Sequence, residues 1–460
     1  MKVGIVGGGL MGLALSQKLS EQGHQATVFE SADQPGGLAT YHDYDGFFWD
    51  RFYHVILPGD SFLLDFIRDI GLGDKLRWSH TRTGFYVDRN FYSVSNNLEF
   101  LRFPLLTLFE KVRFVATTLY CSRLKDWEKL EEITVEDWLK KMCGAKAFEK
   151  MWKPLLLAKL GENYKQVSAI FIWTYIKRVF EARDSSAQKE HLGYVVGGYK
   201  VILERITRLI EENGGKVQLN ATVENILPAA QGVDIVANNQ THHFEKVIFT
   251  GPVNSLLKVT NEQLFHYKAN QASVDYLGVV CMVMITDKPL TPYYVLNIAD
   301  SEIPFTGVIG MTTVVSTDQT SGCHLTYLPR YVSSNDPLLQ ADDEEIKQSF
   351  MAGLQKMYPD FRMDIVRRVY VNRAFKVQPL QKLNYSKSIP SITTKHPDFY
   401  VLNNAQFING TLNNNNVIEH ALEFLENHKE AFLELRKSQT VVIKESDHKA
   451  DECVEENCDG

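Results

Sequence analysis

The chain has 460 residues, of which 44% are hydrophobic and 23% are charged. This length and apolar content allow two or three domain-sized units with buried cores. The formal net charge of -7 offers no basic field to a phosphate backbone, so nucleic acid is excluded as an expected partner.

The cysteines and the N-terminus set the expected compartment. The six cysteines lack the C-x-x-C spacing of a zinc or redox pair, and we predict no metal site. A run of about 18 uncharged apolar residues, which a membrane-spanning helix needs, is absent. Met1 and Lys2 lead directly into an apolar strand, which leaves no room for a secretion signal. We expect a cytoplasmic protein, free or attached to a membrane surface.

The period of the apolar residues changes along the chain. The first thirty residues follow a strand, helix and strand pattern over residues 2–6, 10–22 and 25–29. Alternating apolar residues over 276–285 predict an antiparallel sheet. Between these regions a mostly helical pattern carries tryptophans that we interpret as core anchors: Trp127, Trp138, Trp152 and Trp173.

These patterns predict an α/β fold with a discontinuous domain organisation. A Rossmann-like nucleotide-binding domain is expected to combine residues 1–60, 191–265 and 370–435. The α+β substrate part is expected to consist of a helical or cap region and an antiparallel-sheet region, and an acidic, disordered tail ends the chain. The predicted bounds are 61–190 for the helical region, 266–369 for the sheet and 436–460 for the tail.

A glycine triplet follows the first strand and opens the first helix. Gly7 makes the turn, Gly9 lets a pyrophosphate approach the backbone, and Gly12 lets helix and strand pack closely. The helix N-terminus offers free N–H groups to phosphates. Glu30 ends the second strand, where an acid accepts hydrogen bonds from ribose hydroxyls. Strand, triplet, helix, strand and acid together predict a dinucleotide site.

A second glycine pair follows Glu30. Gly36 and Gly37 lie shortly after the acid, and this doublet favours FAD among the dinucleotides. With triplet, acid and doublet in this order, the chain resembles the superfamily of FAD-dependent amine oxidases, protoporphyrinogen oxidases, phytoene desaturases and UDP-galactopyranose mutases. Residues 152–161 are most similar to its protoporphyrinogen-oxidase-like branch.

The resemblance implies FAD extended along the first domain, with the flavin facing the substrate part. It continues more weakly at the doublet Gly197-Gly198, at Val223, whose backbone would meet adenine, and at Gly251 after an apolar strand. No cysteine or histidine of the matched motifs has an attachment role, so the FAD is expected to be non-covalent. The implied FAD-binding residues are Gly7, Gly9, Leu10, Met11, Gly12, Glu30, Gly36, Gly37, Leu38, Val223, Gly251, Asn404 and Asn414.

Two positions depart from the family pattern. Leu38 stands where the family usually has an arginine that meets phosphate. Asn404 stands where a Gly-Asp pair usually ends a strand, with the aspartate on the ribityl chain. Asparagine can still make that hydrogen bond without charge. The departures leave FAD binding in place and weaken the transfer of any one subfamily's activity.

His54 is the catalytic candidate. In the resembling enzymes its stretch lies beside the flavin ring, where a histidine can donate to a flavin carbonyl or act as an acid or base. The alternative is a histidine that only bonds its own loop. A C-terminal helix after Asn413 is implied to point its N-terminus at the flavin, and Asn416 with Glu419 has capping-box spacing. Its alternative is an asparagine-rich turn that only caps the helix.

Two further features have competing interpretations. Arg330, at the end of a predicted strand, is a candidate for binding an acidic substrate group, and a surface ion pair is the stronger alternative. The apolar stretch 100–109 is interpreted as a buried helix lining a substrate pocket, with a peripheral membrane contact as the weaker alternative.

The predicted function is that of an FAD-dependent oxidoreductase. Hydride would pass from a small, apolar organic substrate to flavin N5, and oxygen, a quinone or another carrier would accept the electrons. The alternative is a flavin-dependent mutase of the UDP-galactopyranose mutase type, acting on a nucleotide sugar. A flavin-holding protein without turnover is a weaker third class. No second nucleotide triplet is found, so no docking site for NADH is expected.

Overall fold

The computed structural model describes residues 1–124, 126–181, 191–261, 264, 274–408 and 412–433. The strands are β1 (Lys2–Val6), β2 (Gln25–Phe29), β3 (Tyr41–Asp43), β4 (Phe48–Asp50), β5 (Leu76–His80), β6 (Thr83–Val87), β7 (Asn90–Ser93), β8 (His191–Val195), β9 (Lys216–Gln218), β10 (Val223–Pro228), β11 (Val233–Ala237), β12 (Gln240–Phe244), β13 (Lys246–Phe249), β14 (Tyr276–Thr286), β15 (Val295–Ile298), β16 (Gly307–Gly310), β17 (His324–Ser333), β18 (Val366–Pro379) and β19 (Phe399–Val401).

The α-helices lie between these strands and at the C-terminal side. They are α1 (Leu10–Glu21), α2 (Ser61–Asp69), α3 (Asn97–Arg102), α4 (Leu108–Arg123), α5 (Val135–Cys143), α6 (Ala145–Ala147), α7 (Lys153–Leu160), α8 (Ile170–Glu181), α9 (Gly198–Glu212), α10 (Val253–Val259), α11 (Asp343–Met357), α12 (Asn414–Asn427) and α13 (Lys429–Leu433).

A parallel sheet forms the nucleotide-binding half and confirms the predicted α/β fold. Its strand order is β19-β13-β1-β2-β9, and each neighbouring pair is parallel. Such sheets are covered on both faces, so their strands are continuous apolar runs. Val3 and Ile5 pack on one face with α1, α9 and α12, whereas Val6 packs on the other with the hairpins of β10, β11 and β12.

A seven-stranded sheet forms the second half, with strand order β18-β14-β17-β16-β15-β6-β7. Its long inner strand β14 is buried at every residue, because a layer covers each face. Odd-numbered residues such as Val279 and Cys281 pack towards Trp49, and even-numbered ones such as Met282 pack towards Phe350 of α11. The predicted antiparallel region is therefore present, with both faces in the core.

The structure differs from the predicted boundaries at two places. Residues 61–190 are not helical throughout, since β5, β6 and β7 lie there and β6 pairs in parallel with β15. Strand β18 starts at Val366 and pairs with β14, so residues 370–379 belong to the seven-stranded sheet and not to the parallel sheet. Both differences come from pairings between strands that are far apart in sequence.

The helical region has its own core. Trp138, Trp152 and Trp173 are buried there, as predicted for core anchors, and Trp127 packs at its edge. The indole N–H of Trp173 donates to the carbonyl of Cys121 at 3.0 Å and ties α8 to α4. Among the described residues, no helix combines the length and apolarity needed to cross a bilayer. The predicted tail, 436–460, lies outside the described residues.

Candidate active site

The turn between β1 and α1 carries the glycine triplet. Gly7 has a φ of +113°, and its N–H donates to the carbonyl of Phe29 at 2.9 Å. A Cβ on Gly12 would lie 2.0 Å from the carbonyl oxygen of Gly7, so only glycine lets α1 approach the strand. A Cβ on Gly9 would meet no atom within 4 Å. Gly9 therefore borders open space at the N-terminus of α1, where phosphates are favoured.

The second doublet packs directly on this turn. The N–H of Gly36 donates to the carbonyl of Gly8 at 2.7 Å. A Cβ on Gly37 would lie 3.2 Å from Cα of Gly9. The triplet and the doublet thus form two adjacent walls of one cradle, which explains why both are needed for a nucleotide site.

Glu30 lies at the rim of the cradle. Its Oε2 accepts from the N–H of Gly8 at 2.7 Å, and its Oε1 accepts from the N–H of Ala32 at 2.8 Å. Oε1 also accepts from the hydroxyl of Ser31 at 3.3 Å, so these bonds fix the carboxylate and leave a further lone pair on Oε2 for a hydroxyl group. The geometry suits an acid that receives hydrogen bonds from a ribose.

A cavity of about 900 Å³ extends from this cradle to the seven-stranded sheet. The family's usual arginine is replaced by Leu38, which lines the cavity, so the N-terminus of α1 remains as a source of positive potential for a diphosphate. Gly12, in the first turn of α1, faces β1 and does not line the cavity. Of the residues predicted to bind FAD, the lining includes Gly7, Gly9, Leu10, Met11, Glu30, Gly36, Gly37, Leu38, Val223, Gly251, Asn404 and Asn414.

One face of the seven-stranded sheet forms the far wall. The wall that β14 to β17 provide consists of odd-numbered residues, since alternate side chains of a strand point to the same face, and β18 adds Lys376, Val377 and Gln378 at its border. Arg330 is even-numbered, does not line the cavity, and donates from Nη1 to the carbonyl of Pro304 at 2.8 Å. The prediction that Arg330 contacts substrate therefore disagrees with its position on the opposite face. The wall residues are Val279, Val295, Asn297, Gly307, Ile309, Pro329 and Tyr331.

His54 lines the cavity and lies close to a buried acid. Its Nδ1 is 3.7 Å from Oδ2 of Asp50 and has no hydrogen-bond partner among the described residues. Asp50 is 2% exposed, and its Oδ1 accepts from the N–H of Tyr199 at 2.8 Å. The imidazole ring packs 5.1 Å from the ring of Tyr199. His54 is thus near an anion, with Nδ1 unbonded.

The doublet Gly197-Gly198 has a structural task. Both residues have positive φ, +90° and +67°, and they begin α9. A Cβ on Gly198 would lie 3.0 Å from Oδ1 of Asp50. Neither glycine lines the large cavity. The doublet instead brings the N-terminus of α9 onto Asp50, and only through Asp50 does it reach His54.

The N-terminus of α12 faces the cavity, with Asn413 and Asn414 in its lining. Asn413 is the N-cap, and its side chain accepts from the N–H of Asn416 at 2.9 Å. The predicted capping pair of Asn416 and Glu419 is therefore three residues too late. Helix α12 begins at Asn414, so the cap falls on Asn413, the first asparagine of the run.

Asn404 is held at the end of β19. Its Nδ2 donates to the carbonyl of Val377 at 3.1 Å, and Asn403 beside it donates to the carbonyl of Gly251 at 3.1 Å. The two asparagines tie β19 to β18 and to the end of β13. The side-chain oxygen of Asn404 keeps its capacity to accept a hydrogen bond at the cavity.

Cations outnumber anions in the lining. Among the lining residues that the structure describes, the cations are Lys159, Arg178 and Lys376, and the carboxylate is Glu30. Burial lowers the pKa of Lys376, and the nearby Lys258 lowers it further. Arg178 lies 3.3 Å from Asp60, a carboxyl whose pKa is raised by burial against the opposing effect of that arginine.

Several lining residues were not predicted from the sequence. Tyr53 and Tyr331 share a hydrogen bond of 2.8 Å between their hydroxyls, and burial raises the pKa of Tyr53 well above its usual value. Tyr53 directly precedes the predicted His54, and Tyr331 directly follows the predicted Arg330. The alternation of side-chain direction along an extended chain was therefore the sequence signal that could have identified these tyrosines. For Lys159 and Arg178, on helices α7 and α8, no local pattern indicated which helix face meets the cavity.

Comparison with known proteins decides the family. A sequence model of the family described as flavin containing amine oxidoreductase matches residues 10–400. The chain belongs to this family. The predicted relationship to the FAD-dependent amine oxidases is thereby confirmed. The family supports a flavin cofactor, FAD, which the cradle fits because a Cβ on Gly9 would meet no atom within 4 Å and the close approach of Gly37 to Gly9 favours glycine.

Two curated relatives show the extent of the sequence similarity. The 15-cis-phytoene desaturase of Synechococcus elongatus is 25% identical over 251 residues, which cover 49% of this chain and 51% of the relative. The 4,4'-diapophytoene desaturase of Staphylococcus haemolyticus is 25% identical over 299 residues, which cover 56% of this chain and 58% of the relative. The chain thus spans little more than half the length of the curated relatives it matches.

Solved structures share the fold over nearly the whole chain. An oxidoreductase from Methanosarcina mazei has a TM-score of 0.73 at 19% identity and covers 93% of this chain and 100% of its own. A protoporphyrinogen oxidase-like protein from Exiguobacterium sp. 255-15 has a TM-score of 0.70 at 18% identity, with 94% and 99% covered. At these identities the likeness establishes the fold.

Proposed function

We propose that this enzyme removes hydride from a largely apolar organic substrate bound between FAD and the odd-numbered face of the seven-stranded sheet. One observation carries the proposal: a single cavity joins the nucleotide cradle to that face. When bound, FAD supplies the hydride acceptor at N5, and oxygen, a quinone or another carrier takes the electrons. Gly9, Gly37 and Glu30 would hold the nucleotide end, while Asn404 and Asn414 would hold the flavin end.

The chemistry of the wall argues for an apolar substrate without positive charge. Val279, Val295 and Ile309 present aliphatic surface, and Tyr331 presents an aromatic ring with a polar tip. A protonated amine would find no carboxylate at this wall, because the acid of the lining, Glu30, belongs to the nucleotide cradle. Lys159 would instead accommodate an acidic group on an otherwise apolar molecule.

The same wall weighs against a nucleotide-sugar mutase. A second diphosphate would call for clustered arginines, which bind phosphate with two parallel bonds. In the described lining the arginine is Arg178, and it is already paired with Asp60. No feature of the cavity favours the mutase reaction, and we retain the oxidoreductase alone.

The composition of the lining supports non-covalent attachment of FAD. The described lining contains no cysteine, and its histidine is His54, which lies beside Asp50. Acid precipitation of the yellow protein should leave the flavin in the supernatant. Colour that stays in the pellet of the wild type and moves to the supernatant in His54→Ala would show a covalent bond.

Anaerobic stopped-flow spectroscopy at the flavin's visible band tests the reaction. Apolar polyenes and cyclic tetrapyrroles bearing carboxylates should bleach the flavin with saturation, and oxygen or a quinone should restore it. Aliphatic amines, NADH and NADPH should bleach it slowly. Fast saturable bleaching by an amine, or turnover of a nucleotide sugar without net bleaching, would contradict the proposal.

A further inference from the structure

Helix α4 exposes an apolar face on the outside of the helical region. The exposed fractions are 71% for Leu108, 70% for Phe109, 59% for Val112, 48% for Val115 and 47% for Tyr120. Their spacing places them on one side of the helix over three turns. The interpretation of residues 100–109 as a buried, pocket-lining helix is therefore wrong: α3 and α4 supply no residue to the cavity lining.

The exposed surface of α3 and α4 carries positive charge without exposed acid. Arg102 and Arg123 are exposed at the ends of the apolar face. Glu110 is buried in the capping box of α4, where it accepts from the N–H of Thr107 at 2.7 Å. Glu99 is half-buried and accepts from the N–H of Ser95 at 2.9 Å.

More cations lie beside the first turn of α4. The bonds from Thr107 lower the pKa of Glu110, and the ammonium groups of Lys146 and Lys150 lower it further, which places both lysines near this turn. Both lysines are exposed. An apolar helix face bordered by arginine and lysine is the pattern of a helix that lies in the interface of an anionic membrane.

We propose that the exposed face of α4, with Leu108, Phe109 and Val112 at its centre, docks the protein on the surface of an anionic lipid bilayer. Charge decides between a bilayer and a second copy of this chain. A two-fold contact through α4 would bring the same arginines and lysines together from both copies, because α3 and α4 expose no acid. The exposed Asp126 and Glu149 nearby are already paired, with Lys129 at 2.6 Å and with Lys153 at 2.7 Å. Anionic lipid supplies the missing negative charge.

In the docked orientation, the cavity would lie close to the lipid surface. Trp173 fixes α8 to α4, and Phe171 and Tyr175 of α8 line the cavity. The helical wall of the cavity is thus one helix away from the proposed lipid contact. This inference concerns attachment and is independent of the proposed reaction.

Vesicle co-sedimentation of the full chain tests the docking. The wild type should bind vesicles of phosphatidylcholine with phosphatidylglycerol, and bind pure phosphatidylcholine more weakly. Leu108→Ser with Phe109→Ser should reduce binding at least tenfold. The matched control, Met363→Ser with Leu227→Ser, removes apolar side chains exposed by 56% and 39% elsewhere and should bind as the wild type does. Arg102→Gln and Arg123→Gln should each weaken binding to the anionic vesicles about fivefold.

Three results would overturn the docking. The first is a wild type that does not bind anionic vesicles, and the second is a Leu108→Ser, Phe109→Ser variant that binds them as the wild type does. The third is a wild type that forms a dimer and binds no vesicles, while the variant is a monomer. Flavin content and thermal midpoint, measured on every variant, show that the fold is intact. Because both exchanged residues are largely exposed, neither measurement should change.

Discussion

The backbone N–H of Tyr199 donates a 2.8 Å hydrogen bond to Oδ1 of Asp50. Tyr199 lies in the first turn of α9, so the buried carboxylate receives the positive end of a helix as well as a bond. Oδ2 of the same carboxylate lies 3.7 Å from Nδ1 of His54. The contact links the doublet Gly197-Gly198 to the cavity through a single charged group.

Replacing Asp50 by Asn should destabilise the fold more than it disturbs the nucleotide cradle. The variant loses a charge-assisted bond and the interaction with the helix dipole, which together contribute about 1–3 kcal/mol. Urea unfolding of the flavin-free protein measures the loss. The matched control is Asp45→Asn, an exposed carboxylate paired with Arg368, which should leave the free energy of unfolding nearly unchanged. Equal losses in both variants would refute the role of the α9 terminus.

Replacing His54 by Ala tests the catalytic candidate. If His54 transfers or holds a proton at the substrate, the rate of flavin reduction should fall by about 10²–10⁴-fold with FAD content unchanged. His42→Ala is the control, because His42 packs between Tyr44 and Tyr370 outside the cavity. An unchanged rate of flavin reduction in His54→Ala would show that the histidine has no catalytic role and only makes contacts within its loop.

Two glycines of one motif should respond differently to the same added methyl group. Gly9→Ala places a Cβ in open space, so the flavin-free protein should keep its stability while its affinity for FAD falls. Gly12→Ala forces a Cβ to 2.0 Å from the carbonyl of Gly7, and should lower the free energy of unfolding by about 1–3 kcal/mol even without flavin. Flavin titration and urea unfolding separate the two effects. Loss of stability in Gly9→Ala would show that the cradle space is not free.

The cradle was predictable from sequence because its contacts are local or lie between adjacent strands. Gly7, Gly9 and Gly12 are constrained by one turn, and Glu30 reaches that turn from the next strand through Gly8. The spacing of these residues alone determines the arrangement. Predictions also hold for Trp138 and Trp173, since each lies on a helix whose apolar period is strong.

The substrate wall was harder to predict from sequence because its geometry depends on pairing between strands that are distant in the chain. Strand β6 joins the sheet through β15, more than 200 residues away, and its short apolar run resembles a turn of helix. Both faces of β14 are apolar, so the sequence gives no inner or outer face from which to orient the neighbouring Arg330. The exposed face of α4 was misjudged because an apolar helix face has the same pattern whether protein or lipid covers it.

Arg330 and Tyr331 offer a direct test of the face assignment. Arg330→Met removes a bond to Pro304 on the far side of the sheet and should cost about 1 kcal/mol of stability while leaving substrate kinetics unchanged. Tyr331→Phe removes the hydroxyl that bonds Tyr53 in the cavity and should change kcat/KM about fivefold or more with little loss of stability. A kinetic effect confined to Arg330→Met would place the substrate on the opposite face.

His420 predicts how stability responds to acid. Its imidazole is largely enclosed beside Phe407, its Nε2 lies 3.2 Å from Oε1 of Gln406, and burial lowers its pKa to about 4. In the unfolded chain the pKa is about 6.5, so below that value the unfolded state binds the extra proton. The stability that depends on neutral His420 is complete above about pH 6.5 and is lost as the pH falls towards about 4, by about 3 kcal/mol in total. Between about pH 7.5 and about pH 5, urea unfolding of the wild type should therefore lose about 2 kcal/mol more than that of His420→Gln. Parallel losses in the two proteins would show that another group controls the acid transition, and that His420 is open to solvent when folded.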